Sequence, residues 1–149
     1  MSTVDELIAE AAALPLPDAA YAIWRQKITF ERLEGRVWPR RDFSTPEAAA
    51  KSSRESRAQL KYEHDFAQDG PTFDRLRRAH PGATDDALKG TIIAAVKFDD
   101  DCFRYFSYGR AEDYWEMCIR AVERAAKGNP PYLETTYRDA RNHVAYCMK

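Results

Sequence analysis

The strongest constraint on this chain is the spacing of its apolar residues between Thr84 and Cys147, which recur every three or four positions. Leu133, Tyr137, Ala140, Val144 and Cys147 fall on one narrow stripe of a helix at 100° per residue. Ala111, Tyr114, Trp115, Cys118, Val122 and Ala125 gather on one side of another, whose far side carries Glu116–Arg120 and Glu123–Lys127 with the acid first. A third arc is broader. It holds Leu88, Ile92, Ala95, Val96, Cys102, Phe103 and Phe106, with Phe98 and Tyr105 at its edge, and this predicts a central helix packed on more than one side. No segment alternates apolar and polar residues as a half-buried strand would. The expected fold is all-α: a single-domain helical bundle over residues 1–149, with about five long helices plus one or two short ones.

Proline and glycine set the breaks. They divide the chain into expected helices over 4–14, 18–36, 44–68, a short one after Pro71, then 85–106, 110–127 and 131–147. Thr3 and Glu6 form a capping box, and Pro46 sits in a first helical turn, where its missing amide costs nothing. Thr84 precedes Asp85 and Asp86 as an N-cap, and Gly128–Asn129 reads as a left-handed helix end.

Apolar residues make up 44% and charged residues 32%, which argues against disorder and against a membrane protein. The first residues lack a basic stretch ahead of an apolar core, and no apolar run approaches the roughly 20 residues that span a bilayer. Cys102, Cys118 and Cys147 are odd in number and widely spaced, which fits neither a disulfide framework nor a zinc knuckle. All three lie on expected apolar faces and read as buried, reduced thiols. A cytoplasmic protein is the resulting expectation.

Function is sought where the pattern breaks. The core stripe 88, 92, 95, 99, 102, 106 puts a carboxylate, Asp99, where an apolar residue belongs. A buried carboxylate costs several kcal/mol or shifts its pKa upward, so Asp99 needs a donor, from arginine, tyrosine or tryptophan. Glu63 intrudes on the apolar arc of its helix, and Lys27, Glu31 and Glu34 intrude on theirs; Lys27 and Glu31, one turn apart, can neutralise each other. His64 adjoins Glu63 but points about 100° away. His143 follows Asp139 by one turn, a pairing that can orient an imidazole. Glu-x-x-His, the spacing of carboxylate-bridged metal sites, is absent, so neither metal nor cofactor is expected. No Gly-x-Ser-x-Gly elbow and no phosphate-cradling glycine loop occurs, and nothing local asks for an enzyme.

Charge is the remaining anomaly. Net charge is -1, from 23 Lys and Arg and 24 Asp and Glu, yet residues 20–62 hold ten basic against five acidic residues. Arg36, Trp38, Arg40, Arg41 and Phe43 set arginines among aromatics in the connector between two basic helices. Planar guanidinium forks and aromatic rings suit an interface anchor. The sequence therefore predicts an adaptor or regulator acting by macromolecular binding through this surface. A protein partner is favoured over nucleic acid, a membrane is not involved, and a homo-oligomer is allowed. The alternative is a bundle enzyme, or a metal- or small-molecule-binding protein, built on Asp99 and Glu63 with His64 and His143 nearby.

Overall fold

Several helices begin where a side chain just ahead of them satisfies a first-turn amide. In the computed structural model, which describes residues 2–35, 41–106 and 113–148 and only the backbone path along 59–69, Thr3 accepts from the Glu6 amide at 3.1 Å and starts α1 (Val4–Ala12). Thr45 and Thr84 do the same for α4 (Pro46–Asp69) and α6 (Asp85–Arg104). The others are α2 (Leu16–Arg25), α3 (Lys27–Leu33), α5 (Pro71–Ala79), α7 (Tyr114–Lys127) and α8 (Glu134–Cys147). Among the described residues there are eight helices and no strand, so the chain is all-α as its periodicity predicts.

Helix ends differ from expectation in several places. The helix expected over 18–36 is two, because Gln26 leaves helical geometry at ψ 16 and its side-chain amide donates to the Ala22 carbonyl at 3.1 Å. The bend sends Phe30 and Glu31 into the core and leaves Ile28 outside. Gly35, at φ 86, then ends α3 in a conformation that costs other residues more. Gly128 is not left-handed: its φ is -98, and the Asn129 side chain donates to the Ala125 carbonyl at 2.7 Å to close α7 instead. The last helix starts at Glu134, three residues later than expected. Its N-terminus is capped from another element, where Asp18 on α2 accepts from the Leu133 amide at 2.8 Å and the Thr136 hydroxyl at 2.6 Å.

α6 is the central helix and packs against α2, α4, α5, α7 and α8. Its Phe98 is fully buried rather than marginal, ringed by Tyr21, Tyr132 and Tyr137 with centroids 4.9–5.9 Å away. The α7 face is rotated from the expected one: Met117 and Ala121 join Cys118, Val122 and Ala125 inside, and Trp115 stays exposed. Cys102 and Cys118 are buried, but Cys147, expected to be buried with them, is exposed at the last turn of α8. The buried face of α8 is Thr136, Ala140 and Val144, which leaves position 147 at its rim.

Candidate functional site

α2 and α8 both lie against α6, and where they meet the sequence has placed polar residues. Asp99 is buried on α6, 7% exposed. The bend at Gln26 brings the Lys27 ammonium over the Trp24 ring, 4.3 Å from its centroid. His143 and Cys147, four residues apart on α8, share a face. His143 Nε2 stands 3.9 Å from Asp99 Oδ1, and its Nδ1 stands 3.8 Å from Cys147 Sγ. Phe103, one turn beyond Asp99, holds the imidazole edge-on at 5.5 Å. The result is a row of carboxylate, imidazole and thiol running from the core to the surface.

Electrostatics fixes the protons. Burial pushes the Asp99 carboxyl up to about 6, and the Asp100 charge adds to this, while the Lys27 and Arg25 charges and the Trp24 indole N–H oppose it. The indole lies beside this carboxylate, yet Trp24 Nε1 and Asp99 Oδ1 each lack a partner at hydrogen-bond geometry. Burial, followed by the Arg25 and Lys27 charges, holds His143 down to about 4. Burial and the Asp99 charge raise the Cys147 thiol against the pull of Lys27. At neutral pH the row is therefore carboxylate, neutral imidazole and thiol. Cys102, raised by burial and then by Asp99, stays protonated.

Several expectations are corrected here. Among the described residues Asp99 forms no ion pair with an arginine; His143 Nε2 stands 3.9 Å from its Oδ1. Asp139 does not orient His143 but stands 3.8 Å from Arg25. Lys27 stacks on Trp24, and Glu31 turns into the core. The side chains of Glu63 and His64 lie outside the described residues, although both positions fall within α4. Trp24 and Cys147 are the site residues that sequence reasoning missed. The i,i+4 spacing of His143 and Cys147 was the signal available for the second.

Arg36, Trp38 and Arg40 also lie outside the described residues. Arg41 and Phe43 are exposed, Phe43 at 66%. The connector beside them is fastened to α4: the Asp42 amide donates to Ser52 Oγ at 2.7 Å, and that hydroxyl donates to the Asp42 carbonyl at 3.2 Å. Lys51, Arg54 and Arg57 are exposed on α4, with Asp42, Glu47 and Glu55 among them. A separate groove of about 430 Å³ runs between α7 and α8, lined by Glu123, Lys127, Glu134 and Arg141 over Val122. It includes none of the candidate site residues Asp99, Glu63, His64 and His143, nor the connector residues around Arg41.

Among the described residues, no group of three or more His, Cys, Asp or Glu is placed to hold a metal ion, and no helix is long and apolar enough to cross a membrane. Comparison with protein-family models, curated proteins and solved structures finds no match, so no residue role is carried over from a relative.

Proposed function

We propose that this protein acts by binding another protein through the surface around Arg41 and Phe43. The observation that carries the reading is an aromatic ring 66% exposed on a connector whose backbone is fastened to α4. A fastened segment loses little entropy on docking, and an exposed aromatic beside arginine has the composition of an interface anchor. Acids interleave with the basic residues of α4, which favours a mixed-charge protein surface over a polyphosphate. The test compares partners recovered from native lysate by the wild type and by an Arg41→Ala/Phe43→Ala variant, at low and moderate salt. Selective loss of one partner by the variant supports the reading, and equal recovery of every partner contradicts it.

The convergence of Asp99, His143 and Cys147 favours a second reading, a bundle protein with a chemical site between α6 and α8. Its support is a carboxylate buried 3.9 Å from an imidazole, with no ion pair to Lys or Arg among the described residues. Asp99→Asn tests it through stability, as developed below.

A further inference from the structure

The groove between α7 and α8 belongs to neither reading above. Its volume of about 430 Å³ is that of a site for a small molecule. The floor is Val122 and Ala126 from α7 and the Tyr137 ring from α8. Tyr137 is fixed in place: its hydroxyl accepts from the Tyr132 amide at 3.0 Å, and its ring meets Phe98 edge-on at 5.9 Å. On the α8 rim, Glu134 accepts from Arg141 at 3.0 Å, which holds the guanidinium beside the groove. Its remaining N–H donors are unused among the described residues. On the α7 rim, Glu123 precedes Lys127 by one turn, a spacing that favours an ion pair. Among the described residues, however, neither side chain has an ion-pair or hydrogen-bond partner.

Each rim thus carries one acid and one base, with apolar surface between them. A simple anion would lie against Glu123 and Glu134, and a cation against Lys127 and Arg141. A partner helix would need a long apolar stripe, and Val122 is only 1% exposed. The charge pattern fits a molecule of no net charge that carries both signs a few ångströms apart. We propose that the α7–α8 groove binds a small zwitterion with an apolar body, the chemistry of a free apolar amino acid. Its carboxylate takes the Lys127 ammonium and the unused Arg141 donors. Its ammonium takes the Glu123 carboxylate, and its side chain lies on Ala126 and Tyr137. Both charges are needed, because a ligand with one alone forfeits a pair and meets the like charge of the groove unmatched. The rims are open to solvent, Glu134 being 79% exposed, so each contact is a surface ion pair and the affinity lies at about 1–10 mM.

The test titrates the intact, isotope-labelled protein with L-phenylalanine at neutral pH and low salt, up to about 30 mM, and follows backbone amide shifts by NMR. Two analogues divide the charges: hydrocinnamate lacks the ammonium, and L-phenylalaninamide lacks the carboxylate. Expected are saturating shifts confined to 122–127 and 134–141, with Kd about 1–10 mM and each analogue weaker by about two- to fivefold. Glu123→Gln should weaken L-phenylalanine by the same factor and leave hydrocinnamate no weaker than with the wild type. Lys127→Gln should do the converse, sparing L-phenylalaninamide. Both residues are exposed, so the variants keep the fold, and unshifted core amides on α2 and α6 verify it. Shifts that rise linearly to the highest concentration, that scatter outside the groove, or that report equally tight binding of either analogue overturn the inference. So does a Glu123→Gln variant that binds all three compounds as the wild type does.

Discussion

Replacing Asp99 with asparagine keeps the side chain's shape and removes its charge. The wild-type carboxyl titrates at about 6 instead of its ordinary 3.8. Between these values the native protein holds a proton that the unfolded chain has released, so Asp99's contribution to stability weakens as pH rises through the window. Each unit is about 1.4 kcal/mol, so the ionised group costs about 3 kcal/mol above pH 6. Asn also places an amide near the imidazole, which offsets part of the gain. Asp99→Asn is therefore expected to raise unfolding free energy by about 1–3 kcal/mol at pH 8, and by under about 1 kcal/mol at pH 4. In thermal unfolding this is a rise of about 3–10 °C at the higher pH. His143 runs the other way. Held down to about 4, it is charged in the unfolded chain before the native one, and its contribution strengthens as pH rises from about 4 to 6.5. In the wild type the two slopes oppose each other. In Asp99→Asn the His143 slope stands alone, so stability climbs across pH 4–6.5. Urea unfolding at both pH values measures it. A loss of more than about 1 kcal/mol at pH 8 would mean that the ionised carboxylate is held by a cation it needs, and the reasoning would fail.

Asp18→Ala removes both acceptor contacts at the start of α8 and should cost about 2–3 kcal/mol, read by urea unfolding. Phe98→Ala opens a cavity among three tyrosines and should cost about 3–5 kcal/mol in the same assay. The Arg41→Ala/Phe43→Ala variant should unfold within about 0.5 kcal/mol of the wild type, since both side chains are exposed, while losing partner recovery.

The helices and the central place of α6 were legible because core helices repeat at 3.6 residues, and the starts of α1, α4 and α6 carry threonine caps. Asp99 was legible for the same reason, as a breach of a strict stripe. The bend at Gln26 was not, because a side-chain amide taking a carbonyl one turn back leaves no apolar signature. Asp18 reads locally as an ordinary acid in a first turn; that it caps a helix 115 residues away is a tertiary fact. Cys147 was misread because a stripe extended to a helix's last turn loses its neighbours there. The partner that His143 selects was likewise hidden: Asp139 is adjacent in sequence, but α6 brings Asp99 closer in space.

At neutral pH Asp99 and His143 meet as a carboxylate and a neutral imidazole, not as an ion pair. Site-resolved NMR titration of the Asp99 carboxyl carbon and the His143 ring nitrogens tests it most directly. Expected are an Asp99 midpoint of about 6 and a His143 that stays neutral down to about pH 4. A His143 that titrates at or above its ordinary 6.5, beside an Asp99 still ionised at pH 4, would contradict it.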